Sequence, residues 1–199
     1  MTTEAPPVGL IGLGTMGRAM AERLLDEGVP LVVHDVVRES ARPLVDRGAT
    51  LAESIGALAR ATRCVLLSLP GPREVSAVVA EDGGLLDQLA PGSVVVDLST
   101  NAVDVVRDLA QQAAARGVHF LDSPVSGGSG GARDGTLVLM VGGGSEGLER
   151  ARPVLEKLSR VIHPLGASGA GTITKLINNQ LYLCGEVLFF EALVLATKG

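Results

Sequence analysis

The chain has 199 residues, 46% of them hydrophobic and 20% charged, so it can bury a large apolar core and lacks the composition of a disordered protein. Its net charge of −5 and aromatic content of 2% argue against nucleic acid as a partner, because such binding calls for basic surfaces and stacking rings. Two cysteines, Cys64 and Cys184, are too few for a disulfide framework. We expect both to be buried reduced thiols, and we expect no metal site.

The first seven residues lack the basic and apolar regions of a signal peptide. We therefore expect the protein to be cytoplasmic. We also expect residues 1–7 to be disordered. The most apolar late stretch is interrupted by Glu186 and Glu191, so no association with a membrane is expected.

The glycine-rich stretch at residues 9–17 predicts a dinucleotide-binding turn. It follows a short apolar run, precedes a helical pattern over residues 15–27, and has the spacing G-x-G-x-x-G. Gly12 permits a tight turn, Gly14 lets the backbone approach phosphates, and Gly17 lets the helix lie close to the strand. The helix N-terminus offers free N–H groups and a positive dipole end to an anion. The residues expected to contact the cofactor here are Gly12, Leu13, Gly14, Thr15, Met16 and Gly17.

Asp35 ends the next apolar run, 18 residues after Gly17, where a carboxylate can accept both ribose hydroxyls. The 2′-phosphate of NADP would meet this negative charge, so the sequence favours NAD. NADP stays possible, because Arg38 lies three residues further on. The alternative interpretation is a glycine-rich turn that binds no nucleotide.

Beyond Asp35, apolar runs alternate with helical patterns. We expect strands at residues 64–69, 94–97, 118–121, 136–142 and 161–163, and helices at 39–47, 54–61, 99–116 and 146–158. The third of these helices is expected to be capped by residues 99–101. This alternation predicts an α/β fold with a Rossmann-type doubly wound, mainly parallel sheet over residues 8–165.

The stretch at residues 122–131 has glycine at four of its last five positions, and its free N–H groups could form an anion-binding nest. A flexible linker is the alternative. Residues 168–198 then predict one long C-terminal helix, on which Lys175 and Asn179 project together because they lie four residues apart. Residues 181–196 are apolar nearly all round, so a second domain or another copy of the chain must cover them.

Four motifs, in this order along the chain, resemble those of the β-hydroxyacid dehydrogenase family, the group of 3-hydroxyisobutyrate dehydrogenase and tartronate semialdehyde reductase. They lie at residues 9–17, 97–100, 122–128 and 169–179. The resemblance implies further cofactor contacts from Leu69, Pro70 and Thr100. It implies that the substrate is held by Ser126, Gly127, Gly128 and Asn178. It also implies that Lys175 transfers the proton, with Asn179 as its orienting partner.

The function implied by the resemblance is hydride transfer between a nicotinamide cofactor and a small 3-hydroxy acid or semialdehyde. Members of the family continue into a helical domain, so residues 166–199 are expected to be the interdomain helix that starts an otherwise absent C-terminal domain. We expect this helix to join two copies in a homodimer. The alternatives are a non-catalytic nucleotide-binding remnant and an imine reductase-like enzyme. Lys175 speaks against the imine reductase, because those relatives typically replace this lysine.

Overall fold

The computed structural model describes residues 6–198, so most of the predicted disordered segment lies outside the described residues. The strands are β1 (Val8–Ile11), β2 (Leu31–His34), β3 (Thr50–Leu51), β4 (Cys64–Leu67), β5 (Val94–Asp97), β6 (His119–Asp122), β7 (Val125–Ser126), β8 (Leu137–Gly142) and β9 (Ser159–Gly166). The helices are α1 (Thr15–Asp26), α2 (Arg42–Val45), α3 (Ile55–Ala61), α4 (Pro72–Ala80), α5 (Leu85–Gln88), α6 (Val103–Ala115), α7 (Gly128–Asp134), α8 (Ser145–Leu158) and α9 (Ala170–Lys198). A short 3₁₀ helix, Arg38–Ala41, precedes α2.

The strands form one sheet in the order β3-β2-β1-β4-β5-β6-β8-β7, and β9 pairs with β8. All neighbours from β3 to β6 are parallel. Strand β8 runs antiparallel to β6 and β7 and parallel to β9. The predicted doubly wound, mainly parallel sheet is therefore confirmed. The chain reverses its winding direction between β1 and β4, which is where ligands of such sheets bind.

The central strands are continuous apolar runs because both faces of the sheet are covered. On one face, Leu10 of β1 packs with Met20 and Leu24 of α1. On the other face, Val65 and Leu67 of β4 pack with residues of α3, α4 and α6. Helix α1 has nearly the predicted bounds, since Gly28 at φ +71° ends the helical path.

Two local predictions are corrected by tertiary contacts. Helix α6 begins at Val103 rather than Ser99, because Ser99 and Asn101 are hydrogen-bonded to the buried carboxylate of Asp97. The glycine-rich stretch is not a flexible linker, because residues 128–131 begin α7, and its anion-binding role stays a prediction. Its helical hydrogen bonds start with Gly131 N–H donating to Gly127 O (3.1 Å), and burial of Ala132 offsets the poor helix propensity of glycine.

Helix α9 has 29 residues and is about 43 Å long, yet its buried residues are only Gly171 and Thr172. Exposed apolar side chains cover its later part, among them Leu181, Val187, Phe189, Phe190 and Leu195. Cys184 on this helix is exposed, so the prediction that both cysteines are buried was wrong for it. Helix α9 is long and apolar enough to cross a membrane, a property that it shares with core helices of soluble proteins.

Candidate active site

A cleft of about 830 Å³ opens at the carboxyl ends of β1, β4 and β5, beside the first turns of α9. Its size lies in the range of small-molecule and cofactor sites. It collects most of the residues singled out in the sequence. Those on its wall are Gly12, Gly14, Thr15, Met16, Asp35, Leu69, Pro70, Thr100, Ser126, Gly127, Gly128, Lys175 and Asn179. Three others, Leu13, Gly17 and Asn178, do not line it.

The turn between β1 and α1 is shaped by close contacts that exclude side chains. Gly12 has φ +92°, and a Cβ there would lie 2.2 Å from Ser68 O. A Cβ on Gly17 would lie 1.9 Å from Gly12 O, so Gly17 serves helix packing rather than the cleft wall. A Cβ on Gly14 would meet no atom within 4 Å. The cleft therefore leaves open space where a ligand can approach the Gly14 backbone.

Gly14 is the N-cap residue of the 12-residue helix α1. Because glycine has no side chain, the N–H groups of the first turn receive no capping hydrogen bond from it. Free N–H groups and the helix dipole suit a pyrophosphate. The bare Gly14 backbone and these N–H groups fit the phosphates of a dinucleotide.

The Asp35 carboxylate is fixed by the backbone on both oxygens. Leu13 N–H donates to Oδ2 (2.6 Å) and Val37 N–H donates to Oδ1 (2.8 Å). Leu13 therefore holds the Asp35 carboxylate in place and does not line the cleft. The sequence did not predict this hydrogen bond. Each carboxylate oxygen keeps a lone pair for a further donor, so Asp35 can still accept ribose hydroxyls. Arg38 forms an ion pair with Glu53.

A buried carboxylate, Asp97 at the end of β5, orders the loop that carries Thr100. Ser99 N–H donates to its Oδ1 (3.0 Å) and Asn101 Nδ2 donates to its Oδ2 (2.8 Å). Ser99 Oγ in turn accepts from Leu69 N–H (2.9 Å), which ties the β4 and β5 loops together. Burial raises the pKa of Asp97, and the hydrogen bonds from Asn101 and Ser99 oppose that rise.

Lys175 and Asn179 line the same cleft as Ser126 and Gly127. Lys175 is half-buried, and burial lowers the pKa of its ammonium below the ordinary value. No hydrogen bond joins Lys175 to Asn179 in the structure, so the orienting role of Asn179 stays a prediction. Asn178 is half-buried on the next position of the helix and lies off the cleft wall.

Several further residues line the cleft but were not predicted from the sequence as site residues. These are Ile11, Met20, His34, Val36, Ile55, Ser68, Glu74, Ala77, Val78, Leu98, Ser99 and Val125. Most are apolar and arrive from α3, α4 or strand ends, so only the assembled sheet brings them together. Across residues 6–198, no cluster of three or more His, Cys, Asp or Glu side chains has the arrangement of a metal site.

Comparison with known proteins agrees with this geometry. The family model described as the NAD binding domain of 6-phosphogluconate dehydrogenase matches residues 7–166. Two Pseudomonas aeruginosa proteins, an NAD-dependent L-serine dehydrogenase and a 3-hydroxyisobutyrate dehydrogenase, are each 41% identical over 192 residues. The chain belongs to the β-hydroxyacid dehydrogenase family.

The β-hydroxyacid dehydrogenase fold extends over the described chain. Both Pseudomonas relatives align with 96% of this chain, which spans 64% of their own length. A solved Mycobacterium tuberculosis 3-hydroxyisobutyrate dehydrogenase with L-serine is 33% identical, with a TM-score of 0.88, and the match covers 97% of this chain and 65% of that one. The matched part includes α1, the cleft and the first turns of α9.

Proposed function

We propose that this chain carries the cofactor and proton-transfer site of an NAD-dependent dehydrogenase acting on a small 3-hydroxy acid or its semialdehyde. The observation that carries the proposal is one cleft lined both by the phosphate-binding turn at Gly12 and Gly14 and by Lys175 and Asn179. A non-catalytic nucleotide-binding module would need the turn but would have no use for a half-buried lysine beside it.

The cofactor would lie along the cleft. Gly14 and the N-terminus of α1 would hold its pyrophosphate, and Asp35 would accept the ribose hydroxyls of its adenosine half. The apolar side chains of Val36, Ile55 and Val78 line the same cleft and suit a flat adenine ring. Bound there, a nicotinamide cofactor supplies the acceptor for a hydride.

The chain's own residues would bind the substrate and move its proton. Ser126 and the backbone of Gly127 and Gly128 would hold a carboxylate beside Lys175. In the oxidation direction the hydroxyl proton passes to the neutral amine of Lys175 as hydride leaves the carbon. In the reduction direction the ammonium returns that proton to the carbonyl oxygen.

An assay of hydroxy acids tests the function directly. The purified chain is incubated with NAD and a panel of 3-hydroxyisobutyrate, L-serine, other small 3-hydroxy acids and 2-hydroxy acids of the same size. Reduced cofactor is followed by its absorbance. We expect turnover with at least one 3-hydroxy acid and none with 2-hydroxy acids of the same size. Cofactor binding without turnover on any of them would favour the nucleotide-binding module instead.

We further propose that α9 pairs with α9 of a second copy. Its exposed apolar side chains lie on all sides of the helix, for example Leu181, Phe190 and Leu195 at 72%, 61% and 74% exposure. Patches of this kind usually mark an interface. A two-fold dimer buries the same surface of both copies and is the commonest arrangement.

A further inference from the structure

We propose that Asp122 is a positioning residue for Lys175, because its carboxylate fixes the first turn of α9 and thereby directs the lysine into the cleft. Asp122 ends β6 and is 1% exposed. Its Oδ1 accepts from Gly169 N–H and its Oδ2 accepts from Thr172 N–H, both at 2.8 Å. The proposal rests on the proposed dehydrogenase function.

These two donors are the N–H groups that a helix start leaves without partners. Helix α9 begins at Ala170, so Gly169 is its N-cap residue and Thr172 its third residue. A side chain of the N-cap residue itself usually accepts from the third residue, but glycine has none. Asp122, 47 positions away along the chain from Gly169, supplies the acceptor for both groups.

We call the Asp122 carboxylate with the N–H groups of Gly169 and Thr172 the Asp122 clamp. Glycines on each side leave room for this clamp. A Cβ on Gly142 would lie 2.5 Å from Asp122 Oδ1, and one on Gly171 would lie 2.1 Å from Met140 O. Gly169 adopts φ +95°, which side chains disfavour. The strand end and the helix start are therefore in direct backbone contact around the carboxylate.

The clamp acts at the buried start of α9, where the helix also packs against β8, β9 and α6. Gly171 and Thr172 are the buried residues of its 29, and the later helix is exposed. Lys175 follows Thr172 by three residues, less than one turn. A small tilt at the first turn therefore displaces the lysine amine directly, whereas the phosphate-binding turn at Gly12 and Gly14 belongs to another part of the sheet.

The test is Asp122→Asn, measured alone and together with Lys175→Ala. The carboxamide can accept from one of the two N–H groups but turns its own NH₂ toward the other. Misplacing a reacting group by about 1 Å can cost about 100-fold, so we expect kcat to fall by about 10- to 100-fold with the Kd for NADH unchanged within about twofold. In the Lys175→Ala background the same change should cost less than about threefold, because the two residues act through one group.

Two further measurements separate positioning from general stability. Thr62→Val removes a different buried hydrogen bond, from Thr62 Oγ1 to Leu58 O (3.0 Å), and should lower Tm without lowering kcat. Hydrogen exchange of residues 170–175 should become at least about tenfold faster in Asp122→Asn and stay unchanged in Thr62→Val. If Asp122→Asn does not fold, Gly169→Ala disturbs the same clamp from the helix side and should produce the same pattern.

Unchanged exchange at residues 170–175, or equal fold losses of kcat with and without Lys175, would overturn the proposal. Because hydrogen exchange needs no substrate, it reports on the clamp even when the wild-type chain turns over no hydroxy acid. Absence of turnover in the wild-type chain would count against the proposed function and not against the clamp.

Discussion

The lysines of this chain differ in what surrounds them. Lys157 forms an ion pair with Glu27, whereas Lys175 lies on the cleft wall. We expect Lys175→Ala to lower kcat by about 10²–10⁴-fold, the usual contribution of a general acid–base group. The Kd for NAD should stay within about twofold, since the turn at Gly12 and Gly14 is untouched. Steady-state kinetics and a fluorescence titration check both numbers, and near-normal turnover would mean that another group moves the proton.

The lowered pKa of Lys175 gives the reaction a pH dependence with a definite sign. Oxidation needs the neutral amine, so its kcat/KM should rise with pH, with a midpoint below the ordinary lysine pKa of about 10.4. Reduction needs the ammonium, so its rate should fall over the same interval. Rates measured in both directions across pH test this. The same rise in the Lys175→Ala variant would assign the titration to a different group.

Cofactor choice is also decided by single residues. Asp35 lines the cleft after β2, where a carboxylate of such folds meets the ribose 2′-hydroxyl, and the cation three residues further on, Arg38, pairs with Glu53. Because like charges brought together can cost several kcal/mol, we expect NAD to bind at least about tenfold more tightly than NADP. Glu53→Gln should free Arg38 to pair with the 2′-phosphate and so reduce the preference for NAD over NADP. Arg38→Ala should increase that preference. Equal affinities for the two cofactors in the wild-type chain would contradict the assignment.

At the scale of elements, the β1–α1 unit predicts opposite outcomes for two neighbouring glycines. Gly17→Ala places a Cβ 1.9 Å from Gly12 O and should destabilise the fold by about 1–3 kcal/mol, or more if the backbone cannot shift. Gly14→Ala has open space and should cost only about 0.5–1 kcal/mol, the usual difference between glycine and alanine at an N-cap. Its added methyl group faces the cleft, however, so NAD binding should weaken. Denaturant unfolding measures the stability of both variants, and titration measures their affinity for NAD. A larger loss of stability in Gly14→Ala than in Gly17→Ala would contradict the prediction.

At the scale of the whole molecule, α9 is where the described chain is least covered. Apolar burial is worth about 25 cal/mol per Å², so pairing of two such helices can hold two copies together. We expect light scattering on the purified chain to give twice the chain mass of 20.4 kDa. Phe190→Glu together with Leu181→Glu should shift it toward monomer, whereas a change at exposed Arg18 on α1 should not. A stable monomer in the wild-type chain would contradict the proposed pairing.

The sequence alone determined the parallel sheet, the glycine-rich turn between β1 and α1 and the long last helix, because each depends on neighbours along the chain. Alternating apolar runs specify buried strands, and the spacing of Gly12, Gly14 and Gly17 specifies a turn between a strand and a helix. Lys175 stands out only through its place in a family motif, because its residue type and spacing alone describe a lysine on a helix.

Only the tertiary structure decided which side chains share the cleft and what holds them. The Asp122 carboxylate caps a helix that starts 48 residues later, and the Asp35 carboxylate is held by Leu13 N–H across two strand ends. The glycine-rich stretch became α7 because Ala132 is buried in the core, a contact that local propensity does not contain. Such contacts join residues distant in the chain, and their energies appear only once the sheet has brought the strand ends together.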